Sequence, residues 1–225
     1  MNASLDTNVI IHLYKADMQE ILFDRFETLK IYEFIRTHEL KRQAEPEILQ
    51  LFDQDLEKRR IEMITKEYIK NIGMIKVFDS HVSDLKIIFD GSDLGEIYAI
   101  ALAKILGCMY LITDDIKERG PHYTLMREIE SDVMPFAFYE ILYLDYLDGK
   151  FNEEELVGHF NLICDSSDLT FDCESKLKSF IRRFCTSPYD NEEKDWFKEY
   201  CNHNNINAKR KFKSLERYLK TIQDE

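Results

Sequence analysis

The sequence predicts an α/β fold: a three-layer sandwich with a central parallel sheet flanked by helices, followed by a C-terminal helical extension. Three features carry that expectation. Apolar runs of strand length alternate with segments of helical period as far as about residue 165, the order that builds a parallel sheet covered on both faces. Proline, glycine and capping residues punctuate the alternation where helices should begin and end. Beyond a polar, acidic stretch at residues 165–174, the chain turns helical throughout. The expected division is a sheet domain over residues 1–165 and a helical extension over residues 166–225.

Taken in order, Leu5 opens a short strand within residues 3–11, a run of apolar and β-branched types broken by Asp6 and Asn8. A carboxylate inside a fully buried strand needs a reason, because such strands read as near-continuous apolar runs. Residues 18–29 space Met18, Ile21, Leu22, Phe26 and Leu29 as a helix, and residues 31–35 read as the second strand. Thr37 is placed to cap a helix through Glu39, and Pro46 suits the first turn of the next. Residues 74–78 read as the third strand. Asp93 begins a long helix that Gly107 ends, and residues 109–112 form the fourth strand. Residues 123–129 read as a helix, and residues 133–136 as an edge strand, where Pro135 is tolerated. Helices follow at residues 139–147 and 153–163, the second with a capping signature from Asn152 and Glu155.

Composition narrows the function classes. Charged residues make up 32% and hydrophobic residues 44% of the 225, the balance of a soluble globular chain. No apolar run approaches a membrane span, and the N-terminus lacks a basic region followed by an apolar stretch, so a cytoplasmic protein is expected. The net charge of −13 argues against a protein that coats nucleic acid non-specifically. Clustered carboxylates around a cation remain compatible with that charge. The five cysteines show no C-x-x-C pair, so reduced thiols are expected. A zinc site drawn from His159, Cys164, Cys173, Cys185, Cys201 and His203 is the alternative those residue types allow. The six histidines share no spacing suggestive of a site and are expected in the core or on the surface.

Acidic residues fall where chemistry is expected. Ligands of open parallel sheets bind beyond the carboxyl ends of the strands. Asp6 belongs to the first strand, Glu39 opens the helix after the second, Glu96 sits in the first turn of the helix feeding the fourth, and Asp114 and Asp115 end that strand. Converging carboxylates repel one another, and a hard divalent cation removes the penalty; oxygen donors of this kind suit magnesium or manganese.

These residues also carry a resemblance. Leu5-Asp6-Thr7-Asn8-Val9-Ile10 resembles the opening motif of PIN-domain ribonucleases. Glu39-Leu40 is similar to the second acidic motif, Gly95-Glu96 followed by an Ala-rich helix to the third, and Leu111-Ile112-Thr113-Asp114-Asp115 to the fourth. The likeness is strongest to the Gly-Glu-containing bacterial and archaeal PIN proteins and covers roughly residues 1–165. It implies a PIN-like fold and a divalent-metal-dependent endoribonuclease using Mg2+ or Mn2+, often the toxin of a toxin–antitoxin or defence system. Carried over, Asp6, Glu39, Glu96 and Asp115 would be the catalytic acids. Asp6, Glu96, Asp114 and Asp115 would hold the metal, with Asn8, Thr113 and Asp93 in support.

Four of these acids have a plainer role beside this one. Asp6 is a candidate strand-end cap, Asp93 an N-cap, and Asp114 a solvated strand-end residue. Glu39 is a candidate partner for a helix dipole, with Glu33 competing for the family role. A DNA nuclease would use the same chemistry, and a silent PIN scaffold would bind RNA or protein without cutting. The partners implied are an RNA substrate, an antitoxin or regulatory protein, and a second copy in a homodimer; no membrane is implied. In the extension, Phe180, Phe184, Trp196 and Phe197 recur at spacings of buried helical faces. Lys209, Arg210, Lys211 and Lys213 form a basic end that reads either as a solvated face or as an RNA-contacting arm.

Overall fold

The computed structural model describes residues 1–89, 93–114, 132–186 and 191–223. The chain divides into two compact units, Met1–Phe138 and Tyr139–Glu225, and the helices expected at residues 139–163 fall in the second.

The first unit holds a five-stranded sheet in the order β3-β2-β1-β4-β5, made of β1 (Asn2–Leu5), β2 (Thr28–Tyr32), β3 (Ile61–Ile64), β4 (Tyr110–Ile112) and β5 (Met134–Phe136). Every neighbouring pair runs parallel. Around it lie α1 (Thr7–Lys15), α2 (Glu20–Arg25), a π-helical turn (Ile35–Leu40), the short α3 (Lys41–Gln43), α4 (Pro46–Glu57), α5 (Lys66–Asn71), α6 (Ile75–Ile88) and α7 (Leu94–Leu106). The α/β class with a parallel sheet between helices is therefore as the sequence predicts.

Several elements differ from expectation, each for a visible reason. The first strand stops at Leu5, and Val9, Ile10 and Ile11 belong to α1, where they are buried. A β-branched run mimics a strand when the helix carrying it packs into the core, because tertiary burial outweighs propensity. The helix expected at residues 18–29 shrinks to α2, since Thr28 and Leu29 pair with Asn2 and Ala3 of β1. The second strand accordingly ends at Tyr32, and Ile35 falls in the π-helical turn. Residues 74–78 are not a strand. Phe78, Val82 and Leu85 bury one face of α6, and Val77 lies outside it at 42% exposure. The third strand is instead Ile61–Ile64, whose Glu62 and Met63 are both exposed at the sheet edge, a pattern with no alternation to read.

Other expectations match. Asp93 caps α7 and Gly107 ends it at φ 62°, the left-handed position that glycine fills most cheaply. Pro46 stands in the first turn of α4. Pro135 lies in β5 at the opposite edge from β3. The helix expected at residues 123–129 lies outside the described residues.

The second unit is helical: α8 (Phe138–Leu147, whose first residue closes the first unit), α9 (Glu153–Ser166), α10 (Cys173–Ile181), a π-helical turn (Arg182–Thr186), α11 (Asn191–His203) and α12 (Ala208–Gln223). Asn152 and Glu155 form the expected capping box on α9. Phe180 is the hub of the unit's core, with ring centroids 4.7 Å from Phe184, 5.7 Å from Phe197 and 6.0 Å from Phe212. Phe180, Phe184 and Phe197 are buried as expected, and Trp196 is half-buried. No described helix is long and apolar enough to cross a membrane.

Candidate active site at the carboxyl edge of the sheet

The strand order creates a switch point. The chain leaves β1 towards β2 and β3, then crosses to the far side of β1 to make β4 and β5. Connections after β1 and β4 therefore diverge, and the crevice between them is where parallel sheets place ligands. Asp6 follows β1 there, and Thr113 and Asp114 follow β4.

Asp6 is 2% exposed. Its backbone N–H donates to the Ile112 carbonyl at 2.9 Å, extending the β1–β4 ladder by one step. The Thr113 hydroxyl, also buried, donates to Asp6 Oδ2 at 3.3 Å. Asp6 occupies the N-cap position of α1, yet its side chain makes no capping hydrogen bond there. Asn8 lies half-buried in the first turn of α1.

Gly95 shows what surrounds this carboxylate. A Cβ at Gly95 would stand 3.1 Å from Thr7 Oγ1, 3.5 Å from Asp6 Oδ1 and 3.5 Å from Glu39 Cγ. Residues far apart in sequence therefore meet against the first turn of α7, which also carries Glu96, 4% exposed. Asp93 Oδ1 accepts the Glu96 N–H at 3.2 Å, so Asp93 acts as the N-cap that fixes that turn.

Glu39 arrives by a different route than expected. It stands near the end of the π-helical turn, and the Thr37 hydroxyl donates back to the Glu33 carbonyl at 2.8 Å instead of capping a helix. π-helical turns occur disproportionately at functional sites. Glu39 Oε2 accepts from Arg42 at 3.1 Å and from the Gln43 amide. Glu33, its competitor, accepts the Lys66 N–H at 3.0 Å at the start of α5 and so is occupied elsewhere.

Asp114 ends β4 as expected, and both its oxygens are engaged. His12 Nδ1 lies 2.6 Å from Oδ2, and since an ionised carboxylate can only accept, His12 donates. The Phe138 N–H donates to Oδ1 at 3.0 Å, which puts a negative charge at the start of α8. Asp115 lies outside the described residues. The role of His12 is not readable from the sequence, because its partner is 102 positions away. Thr7 was visible only as part of the Asp-Thr-Asn motif.

The donor chemistry suits a hard divalent cation: every candidate is an oxygen, and the buried Thr7 Oγ1 has no hydrogen-bond partner among the described residues. Among those residues, no group of three or more His, Cys, Asp or Glu side chains is placed to hold a metal ion. That holds for the acids near Gly95 and for the thiol-based zinc alternative alike. Cys108 and Cys173 are buried free thiols that burial pushes up to about 11.

No protein-family model, curated protein or solved structure matches this chain.

Proposed function

We propose that the chain is a PIN-like nuclease that hydrolyses RNA phosphodiester bonds at the carboxyl edge of its sheet, using Mg2+ or Mn2+. The observation that supports this reading is the meeting of Asp6, Thr7 and Glu39 against Gly95, beside Glu96, at the switch point. In this reading Asp6, Glu96 and Asp115 hold the cation. Glu39 contributes a further carboxylate, steadied by Arg42 and Gln43, and Thr113 orients Asp6 through its hydroxyl. Asp114 sets the strand end by binding His12 and the start of α8. The bound metal would polarise a phosphate oxygen and activate water for in-line attack. The exposed cations of α12 serve as phosphate contacts.

A fluorophore–quencher RNA and the DNA of the same sequence, each with Mg2+, Mn2+ or chelator, test this. Metal-dependent cleavage of RNA is expected. Cleavage of DNA alone would make the chain a DNA nuclease. Binding without cleavage would favour a non-cutting PIN scaffold, the reading favoured by Asp114 having both oxygens engaged within the protein.

A further inference from the structure

The end of β4 is clasped to α1 at two adjacent residues. The Thr113 hydroxyl donates to Asp6 Oδ2 at 3.3 Å, and His12 Nδ1 lies 2.6 Å from Asp114 Oδ2. Asp6 is the N-cap of α1 and His12 stands in its last turn. One strand end therefore holds both the start of this helix and its end. The backbone tightens the same place: the Asp6 N–H donates to the Ile112 carbonyl at 2.9 Å, and the Thr113 N–H to the Phe136 carbonyl at 3.0 Å.

Asp114 is the member of this clasp that depends on its partners. Its side chain is 5% exposed, and a buried carboxylate is costly unless its oxygens are hydrogen-bonded. The Phe138 N–H serves Oδ1 at 3.0 Å, and His12 serves Oδ2. The packing of α1 does not call for an imidazole at this position. Val9, Ile10, Ile11, Leu13 and Tyr14 bury the helix, a task that an apolar residue at position 12 would share. What the ring adds is a donor for Asp114. With both oxygens held by α1 and the start of α8, Asp114 is occupied within the fold, and the proposed function assigns the cation to Asp115, the next residue.

We propose that His12 is a positioning residue of the metal site: by holding Asp114 it fixes the strand end whose two neighbouring residues orient Asp6, through Thr113, and bind the cation, through Asp115. His12 itself touches neither the metal nor RNA. Removing a partner that orients metal ligands from behind typically costs about 10- to 100-fold in metal affinity. The inference rests on the nuclease reading for its metal, and its test needs no RNA. The probe is Mn2+, titrated into the full-length protein and followed by the electron paramagnetic resonance of the free ion. Glu96→Gln defines the binding that belongs to the acidic crevice. Against that baseline, His12→Ala should weaken Mn2+ binding roughly 10- to 100-fold. His12→Asn should restore most of it, because the Asn amide nitrogen takes the place of Nδ1 and donates to Asp114. His12→Gln should not, because its amide reaches the place of Nε2. Circular dichroism shows which variants fold. The two amides share one chemistry, so their difference reports geometry even where His12→Ala does not fold. Wild-type affinity in all three His12 variants would overturn the positioning role alone, leaving the metal site in place. An equal loss in Asn and Gln would also overturn it, making His12 a ring that packs. If Glu96→Gln binds Mn2+ as wild type does, the crevice holds no metal and the nuclease reading falls together with this role. Mn2+ binding that follows His12 as expected, without RNA cleavage by the wild-type protein, retains the role and removes the nuclease.

Discussion

The two units bury charge in contrasting arrangements. In the C-terminal unit, Arg183 is 6% exposed and lies between Glu140 and Glu193, themselves 2% and 1% exposed. Its guanidinium donates to Glu140 at 2.7 Å and to both oxygens of Glu193 at 3.0 and 2.7 Å. The fork of one cation is matched to carboxylates on two helices, the closed geometry that a buried ion pair requires. In the N-terminal unit, Asp6 and Glu96 are as deeply buried, and Asp6 Oδ1 and Glu39 Cγ would each stand 3.5 Å from a Cβ at Gly95, on the turn that carries Glu96. That unit also contains a closed network of the first kind, in which Asp55 accepts from the Tyr14 hydroxyl at 2.7 Å and from Arg60 at 3.3 Å. The contrast lies between two uses of buried carboxylates. Where the donors of a buried cation are matched in geometry by carboxylates, burial holds the fold together. In the proposed function, the acids around Gly95 serve the other use and form a site.

The largest effect should come from breaking the matched arrangement. Arg183→Met removes the cation that two buried carboxylates share, a loss of about 3–5 kcal/mol for a buried pair deprived of one partner. Chemical denaturation measures it. A loss below about 1 kcal/mol, the value of an exposed pair, would show that water reaches these groups and would dissolve the contrast from the C-terminal side.

Breaking the gathered arrangement should spare the fold and remove the activity. Glu96→Gln keeps shape and deletes one charge. Cleavage of the reporter RNA should fall by more than the ~100-fold that losing an outer-shell partner of a metal costs, while the thermal midpoint stays within a few degrees of wild type. Full activity in Mg2+ and Mn2+ would remove Glu96 from the site. A large drop in the midpoint would place it with Arg183 as a structural charge.

Gly95→Ala sharpens the same comparison with a smaller change. Replacing glycine in a helix stabilises it by about 1 kcal/mol, but the new methyl would press on Thr7 Oγ1 at 3.1 Å and fill the space between Asp6 and Glu39. Stability should shift by under about 1 kcal/mol as these oppose each other. Activity should fall about tenfold, the order expected when reacting groups are displaced by a fraction of an ångström. A variant as active as wild type would mean that the Gly95 surface is packing and not a binding surface.

Legibility in the sequence followed the physics of each element. The helix of Glu96 was readable because its start and stop are local chemistry: Asp93 accepting from Glu96 at one end and Gly107 at the other. β4 was readable because it is central and apolar throughout. β3 was not, since at the sheet edge it needs only Ile61 and Ile64 inward. The acids were found as separate strand-end residues, but their meeting could not be, because it depends on strand order and on Gly95 having no side chain. Glu39 was placed on the right connection and the wrong kind of turn: nothing in Ile35–Leu40 distinguishes a π-helical turn from an α-helix before its hydrogen bonds are known. His12 was passed over because a partner distant in sequence leaves no spacing to read.

The basic end of the C-terminal unit gives the smallest predicted effect and divides on closer inspection. Lys209, Arg210 and Lys213 are exposed on α12, while Lys211 turns inwards, its Nζ donating to the Tyr146 carbonyl at 3.2 Å and lying 4.7 Å from that ring's centre. Lys211 is therefore engaged with Tyr146 inside the unit and not with an RNA-facing set. Phe212, Leu215 and Leu219 bury the opposite face of the helix, which fixes the other three in solvent. Phosphate contacts release counterions, so each lost contact should lower affinity severalfold and make its salt dependence shallower by roughly one unit of slope. Single Gln substitutions at Lys209, Arg210 and Lys213 should do this without moving the thermal midpoint. Lys211→Gln should do the reverse, costing about 0.5–1.5 kcal/mol of stability through the lost hydrogen bond while leaving the salt slope alone. RNA binding measured by fluorescence anisotropy across a salt series separates the two. A slope unchanged by any of the three exposed substitutions would make this face a solvated one, and the contrast between the units would then rest on the buried charges alone.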